Sequence, residues 1–339
     1  MTVTIKDVAL KAGVSPKTVS RVMNGEAHVR AAVREAVLRV VAELDYRPNA
    51  FARSLSSSRS YLLGIFFDDP ASGYAASMQR GALAQCRAKG YHLVVEPLDL
   101  ATAEWESELI ASLGALRLDG AILTPPLCEH GPLLDRFDAL QLPYVRVSPG
   151  EEGRRSGSVD MDELRAAQEM TAHLIALGHR DIGFVQGNPT HGASPKRLAG
   201  YLAAMREAGL PVLDGRVAEG DFSFRSGLAA GEAMLRDAAR PTAIFASNDD
   251  MALGVSVAAM KHGISVPGAL SIAGFDDAAP SRIAWPPITT IRQPVDEMAA
   301  AAVAMLVDPG YRTNASAEVY RRHLPYALIR RGSTAPPTG

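Results

Sequence analysis

From Tyr61 onward, short apolar segments alternate with segments of helical periodicity. Residues 62–67 and 243–246 are continuously apolar, and their length is typical of strands. Apolar strands that alternate with helices predict parallel sheets covered on both faces. Two such blocks of about 100–130 residues predict two doubly wound lobes. The predicted strands are 62–67, 91–96, 120–124, 144–147, 181–186, 216–219, 243–246 and 270–274, and the predicted helices are 75–90, 104–116, 131–140, 163–177, 194–208, 224–238 and 249–262.

The first 24 residues predict two short helices joined by a tight turn. Thr4 can cap the first helix, Asp7 places negative charge in its first turn, and Gly13 ends it by adopting a left-handed conformation. Ser15 can cap the second helix, and Pro16 fits its first position, which needs no backbone N–H. The outer face of that second helix carries basic and hydrogen-bonding side chains, namely Lys17, Ser20, Arg21 and Asn24.

This helix-turn-helix presents side chains of the types that read a DNA major groove. The alternative is a small helical hairpin with ordinary solvated charges. Charge favours DNA binding, because residues 1–59 contain ten Lys or Arg and five Asp or Glu. This segment therefore carries a charge of +5, and the remainder carries −7, since the whole chain carries −2. A basic head on an acidic body predicts a polyanionic partner for the head alone.

Between this helix pair and the lobes, the sequence predicts a third helix and a linker. The third helix covers residues 29–44, with Arg30 near its start. Residues 50–55 could form one or two helical turns, which are too short to be stable alone in water. The serine-rich residues 56–60 are typical of a flexible linker.

Five head motifs, in this order and spacing, resemble the lac-repressor family of bacterial transcription regulators: Thr-Ile-Lys-Asp-Val-Ala, Ala-Gly-Val-Ser, Thr-Val-Ser-Arg-Val-x-Asn-Gly, Tyr-Arg-Pro-Asn and Ala-Arg-Ser-Leu. Body motifs at 177–184, 197–201, 246–254 and 274–277 resemble the same family, whose body is similar to periplasmic sugar-binding proteins. The resemblance implies a head over 1–48, a hinge helix and linker over 49–60, and a body over 61–339. It implies a first lobe of about 61–161 and 293–322 and a second of about 162–292 and 323–339, with the chain crossing between lobes near 160, 292 and 322. The polar end 330–339 lacks leucine heptads, so a homodimer is expected.

The resemblance also implies which head residues contact a pseudo-palindromic double-stranded operator. The recognition helix would enter the major groove, and the hinge helix would fold in the minor groove, where Leu55 separates a base step. The family usually has a Ser or Thr cap where Arg30 stands, which implies a weaker start to the third helix. The implied DNA-contacting residues are Thr4, Ser15, Pro16, Lys17, Thr18, Ser20, Arg21, Asn24, His28, Tyr46, Asn49, Ala52, Arg53 and Leu55.

Several polar residues follow the predicted strands of the body, where doubly wound sheets bind ligands. Asn248 and Asp249 follow one strand, and Asp276 and Asp277 follow the next. Carboxylates at such junctions are often helix caps, which is the preferred interpretation for Asp249, while Asp277 fits a cap and a ligand contact equally. The resemblance implies effector contacts at Tyr74, Arg197, Asn248 and Asp276, with Phe222 as an aromatic floor. Asp68, Thr124 and Ser148 are predicted to join this effector site because they lie at or just past predicted strand ends, and Trp285 is predicted as either a cleft wall or an inter-lobe packing residue.

These features predict a DNA-binding transcription regulator, most simply a repressor, whose effector is a sugar or glycoside. A purine, nucleoside or other non-sugar corepressor is the alternative, and a cytoplasmic sugar-binding or sugar-processing protein is a third. An enzyme is not expected, because no phosphate-binding loop, nucleophile elbow or metal cluster appears in the sequence. Cys86 and Cys128 have no metal-ligand spacing, so neither a metal nor a cofactor is expected. No signal segment or membrane-length apolar run occurs, which predicts a cytoplasmic protein with no membrane partner.

Overall fold

The computed structural model describes residues 3–23, 28–46, 59–150, 155–236, 239–313 and 320–338. It divides into two compact units, Met1–Tyr61 and Leu62–Gly339. The predicted hinge helix lies outside the described residues, as do five predicted DNA contacts, namely Asn24, Asn49, Ala52, Arg53 and Leu55.

The first unit contains three helices, α1 (Ile5–Ala12), α2 (Pro16–Met23) and α3 (Ala31–Glu43). Gly13 ends α1 in the left-handed conformation, with φ of 67°. The Ser15 hydroxyl accepts the Thr18 backbone N–H at 3.2 Å, which confirms its capping role. At Arg30, no side chain caps α3. The three helices bury one small core of branched side chains, with Val8, Val19 and Val37 fully enclosed.

The second unit contains two six-stranded sheets, and each forms the centre of one lobe. The first sheet has the order β11-β5-β4-β3-β1-β2 and is parallel throughout. Its lobe consists of β1 (Leu62–Phe67), α4 (Gly73–Lys89), β2 (His92–Pro97), α5 (Trp105–Leu116), β3 (Gly120–Leu123), a 3-10 turn (Leu127–Glu129), α6 (Gly131–Ala139), β4 (Tyr144–Val147), β5 (Gly157–Asp160), α12 (Val295–Val307), α13 (Pro309–Thr313) and β11 (Arg321–His323).

The second sheet has the order β12-β10-β9-β8-β6-β7 and is parallel except for the β10–β12 pair. Its lobe consists of α7 (Glu163–Ala176), β6 (Ile182–Val185), α8 (Ala193–Glu207), β7 (Val217–Ala218), α9 (Phe224–Leu235), β8 (Ala243–Ala246), α10 (Asp249–Lys261), β9 (Ser271–Asp276), α11 (Ala279–Ile283), β10 (Thr289–Arg292) and β12 (Ala327–Ile329). The predicted fold class, a helical head and two doubly wound parallel-sheet lobes, is confirmed.

The chain passes between the two sheets three times. It leaves the first sheet after β5 and enters α7, returns from β10 to α12, and crosses last from β11 to β12. The alternation of apolar and helical segments predicted neither β5 nor the helices and strands that follow residue 276. β5 was missed because Gly157–Asp160 carries two polar residues in four, although all four are buried. These crossings hold the carboxyl ends of both sheets opposite each other.

Candidate functional site

A cavity of about 260 Å³ lies between the two lobes. The loops that line it follow β1, β3 and β4 in the first lobe and β6, β7, β8, β9 and β10 in the second. Both sheets therefore direct their carboxyl ends at the cavity, where ligands of doubly wound sheets bind. Eight of the nine predicted effector residues line it: Asp68, Tyr74, Thr124, Ser148, Arg197, Phe222, Asn248 and Asp276.

Arg197 lies at the centre of the polar network, and its side chain is only 5% exposed. Its Nε donates to Glu163 Oε2 at 2.8 Å, and a terminal nitrogen donates to the Ser247 carbonyl. The same guanidinium lies 3.7 Å from Asp276 Oδ1 and 3.7 Å from the centre of the Phe275 ring. Burial disfavours the charged guanidinium, but the two carboxylates outweigh it and raise the pKa of Arg197. The guanidinium is thus fixed in orientation, with N–H donors left over for a ligand.

Asp276 ends β9 and connects the cavity to a lobe crossing. Its Oδ1 accepts the side-chain amide of Gln293 at 2.6 Å, and Gln293 lies in the segment between β10 and α12. Burial raises the pKa of Asp276 to about 7, although Arg197 and Gln293 act in the opposite direction. A ligand that bonds to this carboxyl group therefore perturbs both its protonation and its contact with a crossing segment.

Three cavity residues have strained backbones, with φ of 46° at Ser148, 71° at Phe222 and 112° at Asp276. Non-glycine residues at positive φ are costly and concentrate at functional sites. The Phe222 ring lies against Gly187, where an added Cβ would come within 2.1 Å of the ring. It also lies 5.2 Å from the His191 ring, so the two rings form an aromatic wall.

The expectation that Asp249 caps its helix is wrong. Asn248 is the cap of α10, because its Oδ1 accepts the Met251 N–H at 2.9 Å while its amide donates to the Phe222 carbonyl at 2.8 Å. Asp249 instead accepts hydrogen bonds from the Thr290 hydroxyl (2.6 Å) and the Ala278 N–H (2.7 Å). One donor and one acceptor of the Asn248 amide are therefore used within the protein, and the donor holds the Phe222 backbone in place.

Asp277 belongs to an ion-pair cluster outside the main cavity. Its carboxylate accepts from Arg292 Nε at 2.7 Å and also pairs with Arg331 and Arg282. These guanidinium groups lower the pKa of Asp277 despite its burial. The structure therefore favours a structural role for Asp277 over ligand contact.

The first lobe contributes hydroxyl groups that differ in availability. The Thr124 hydroxyl donates to the Phe66 carbonyl at 2.7 Å and is satisfied internally. Asp68 accepts the Asp69 N–H at 2.8 Å through one oxygen. The Tyr74 and Ser148 hydroxyls are buried and lack a hydrogen-bond partner among the described residues. Buried polar atoms without partners are expected to meet a ligand or water.

Trp285 does not line the cavity, because it follows α11 and is 91% exposed. The structure therefore places Trp285 neither in the cleft wall nor in a packed inter-lobe contact. Conversely, sequence reasoning missed the cavity residues Glu163, His191 and Gln293. Of these three, only Gln293 could have been recognised in the sequence, because it lies next to a predicted crossing of the chain between the lobes.

The lobes also touch beside the cavity. Glu129 Oε1 of the first lobe accepts the Gly192 N–H of the second at 2.8 Å, just before α8. Gly192 lies so close to Gly150 that an added Cβ would come within 2.1 Å of the Gly150 Cα. Lys196 Nζ donates to the Pro149 carbonyl at 3.0 Å. This backbone approach requires glycine and makes the contact sensitive to the angle between the lobes.

In the head, the described DNA-contact candidates lie mostly on the surface. Ser15, Pro16, Lys17 and Arg21 are exposed on α2 and its preceding turn, opposite the buried Val19. Thr18, Ser20 and Tyr46 are half-buried, and Tyr46 packs against the head core. Thr4 and His28 are exposed. The outer face of α2 thus carries the residue types predicted to contact DNA.

The described residues include no group of three or more His, Cys, Asp or Glu side chains placed to hold a metal ion. Among the helices in the described ranges, none is long and apolar enough to cross a membrane.

Residues 4–49 match the family described as bacterial regulatory proteins, lacI family. Residues 171–334 match the periplasmic binding protein-like domain. Catabolite control protein A of Priestia megaterium is 34% identical over 98% of this chain and 100% of its own length. The HTH-type transcriptional repressor PurR of Salmonella newport (strain SL254) is also 34% identical, over 90% of this chain and 89% of its own length.

Two solved structures extend the similarity to the full chain. The lac repressor dimer bound to operator and the anti-inducer ONPF has a TM-score of 0.78 and 29% identity, over 99% of this chain and 100% of that one. The complex of the transcriptional regulator CelR with cellobiose has a TM-score of 0.75 and 30% identity, over 98% and 99% of the two chains. Head, body and their order are therefore shared with these proteins.

Proposed function

Since the chain belongs to the lacI family of bacterial regulatory proteins and is a DNA-binding transcriptional regulator, we propose that it represses its target genes as a cytoplasmic homodimer. We further propose that a sugar or glycoside bound between the lobes controls its affinity for a pseudo-palindromic operator. The observation that carries this proposal is one cavity in which a fixed Arg197, the Asp276 carboxyl group and an aromatic wall converge. Bidentate polar groups beside an aromatic face suit a polyhydroxylated ring.

A purine or nucleoside effector that acts as a corepressor is the second candidate, because the aromatic wall of Phe222 and His191 also suits a planar base. Phe222 could stack on a purine as readily as on the apolar face of a sugar. The polar groups favour a sugar, because Tyr74, Ser148 and Glu163 each present a buried oxygen that has no hydrogen-bond partner in the described ranges. A planar base would leave most of these oxygens unsatisfied, whereas a ring with many hydroxyl groups can reach several of them.

The mechanism is a linkage between effector binding and lobe angle. The effector bonds to Asp276, whose partner Gln293 lies in a crossing segment, and closure changes the contact of Glu129 with Gly192. A ligand shifts operator affinity only by its preference for one lobe angle, typically about 1–3 kcal/mol. The same linkage serves an inducer or a corepressor.

The proposal is tested by selecting DNA sequences from a random library with the full-length protein. The selected sequences are expected to share a pseudo-palindrome, since a two-fold dimer reads two half-sites. A thermal-shift screen against sugars and nucleobases then identifies the effector, because a ligand of the folded state raises the melting temperature. Absence of an enriched sequence contradicts the DNA assignment, and a response to purines alone contradicts the sugar assignment.

Leu55→Ala is expected to weaken binding to the selected operator far more than binding to random DNA. The resemblance assigns Leu55 to a wedge that separates a base step, and such a wedge contributes only where the duplex is kinked. Specific binding is expected to weaken by about 10- to 100-fold, in line with unstacking costs of a few kcal/mol. Fluorescence anisotropy measures the dissociation constants for the operator and for random DNA, and hence the loss on each. Equal losses on the two DNAs would show that Leu55 is not a wedge.

A further inference from the structure

The cavity is lined by more carboxyl groups than cationic groups. His191 adds no charge at neutral pH, because burial lowers the pKa of its imidazole. The cavity walls therefore contain one guanidinium group and six carboxyl groups, which belong to Asp68, Asp69, Glu163, Asp221, Asp250 and Asp276.

Glu163 provides a second observation that points to a ligand. It is 3% exposed and lines the cavity. Its Oε2 is held by Arg197, but its Oε1 is buried and has no hydrogen-bond partner among the described residues. The Tyr74 hydroxyl interacts electrostatically with both Glu163 and Asp276. It is also buried, and no group in the described part of the chain forms a hydrogen bond with it. An ionised carboxylate only accepts hydrogen bonds, so the group missing at Oε1 is a donor.

Asp250 adds a further carboxylate to the same cavity. It is half-buried in the first turn of α10, and burial raises its pKa. Within the described part of the chain, no side chain or backbone group donates a hydrogen bond to the Asp250 carboxylate or forms an ion pair with it. It also interacts electrostatically with Asp276. Two carboxylates with unused acceptors therefore line one cavity.

The guanidinium groups next to the cavity are already paired. An adjoining chamber of about 180 Å³ shares Tyr74, Asp276 and Gln293 with the main cavity. There Arg80 is held by both oxygens of Asp296, at 2.7 and 2.8 Å, and Arg292 donates to Asp277 at 2.7 Å. An anionic ligand would thus meet uncompensated carboxylates and few available cations.

We propose that the effector carries a protonated amine, as an amino sugar does, and that Glu163 binds this amine. The inference rests on the proposed sugar class and narrows it. An ammonium group donates three hydrogen bonds and accepts none, which complements Glu163 Oε1 and Asp250. Its bond to a carboxylate joins two opposite charges, whereas a hydroxyl brings only a neutral donor to the same carboxylate. The negative potential of the cavity carboxylates also disfavours binding of a phosphorylated sugar.

Three matched pairs of probes test the proposal with the full-length protein at pH 7: glucosamine with glucose, galactosamine with galactose, and mannosamine with mannose. Within each pair, one hydroxyl is exchanged for an ammonium group. At least one amine is expected to bind about tenfold or more tightly than its parent sugar by calorimetric titration. If no amine binds more tightly than its parent, the proposal is wrong.

Variants assign the preference to the named carboxylate. Glu163→Gln keeps an oxygen for Arg197 and is expected to reduce the amine preference about tenfold, while Glu207→Gln, an exposed glutamate at the end of α8, leaves it unchanged. Because Glu163→Gln also perturbs a buried ion pair, Asp250→Asn serves as a second variant and is expected to reduce the preference without affecting folding. A preference that survives either substitution overturns the proposal.

The outcomes also separate this inference from the proposed function. If the parent sugars bind and make the protein release the operator, while the amino sugars do not, the proposed sugar-controlled repressor stands and the amine proposal is wrong. An amine that binds through Glu163 but leaves operator affinity unchanged would retain the charge argument and reject effector control.

Discussion

The Lys17→Ala, Arg21→Ala double variant is expected to lose sequence-specific DNA binding while its effector site remains intact. Both side chains are exposed on α2, and both substitutions leave the buried Val19 and Val22 in place. A good base contact contributes about 1–3 kcal/mol of discrimination, so two lost contacts are expected to weaken operator binding about 10²- to 10⁴-fold. The measurement is anisotropy on the selected operator at several salt concentrations.

A matched control separates recognition from overall charge. The Lys11→Ala, Arg39→Ala double variant removes the same two charges from the head at exposed positions of α1 and α3. Lys11 pairs with Glu43 at the surface, and such pairs contribute little to stability. The control is expected to retain the preference for the operator over random DNA. If operator affinity falls by the same factor in both double variants, the head binds DNA through charge alone.

Local sequence rules predicted the head and the order of strands and helices because these features depend on neighbours in the chain. Gly13, Ser15 and Pro16 each act within one turn of their own position, and the structure places all three as expected. The strand β5 was missed for the opposite reason. Its four residues are buried because β4 and β11 flank them, and β11 begins about 160 residues later in the chain.

The sequence predicted which side chains lie in the cavity better than it predicted what each of them does there. Asn248 and Asp249 are neighbours, and either could have capped α10 by the local rule. The choice was decided by Thr290 and the Ala278 N–H, which reach the Asp249 carboxylate from distant parts of the sequence. Glu163 gave no signal for the same reason, since its role arises from Arg197, 34 residues further on.

Asp276→Asn is expected to stabilise the protein without ligand above pH 7 and to abolish its response to the effector. Burial raises the pKa of Asp276 from 3.8 to about 7, so the folded protein holds this proton more tightly than the unfolded chain. The unfolding free energy of the wild type is therefore expected to fall as pH rises from about 4 to about 7 through this group. At about 1.4 kcal/mol for each pKa unit, the raised pKa of Asp276 can lower the free energy of unfolding by at most about 4 kcal/mol.

The asparagine variant cannot ionise and is expected to lack this slope. Its advantage over the wild type should be absent below about pH 4, grow with pH and level off above about pH 7. Thermal or urea unfolding across this range measures the difference, and Asp214→Asn, an exposed aspartate in a loop, is the matched control. A variant whose stability differs from the wild type by the same amount at every pH would contradict the assignment.

The same substitution should weaken effector binding, because it removes a charged acceptor that Arg197 and Gln293 hold in place. Hydrogen bonds to charged groups contribute about 1.5–3 kcal/mol, which corresponds to about 10- to 150-fold in the dissociation constant. Operator binding without effector should persist, since the predicted DNA contacts precede residue 61 and Asp276 belongs to the second unit. A stabilised protein that binds its operator but no longer responds would show that the buried charge at Asp276 is kept for ligand recognition at a cost to stability.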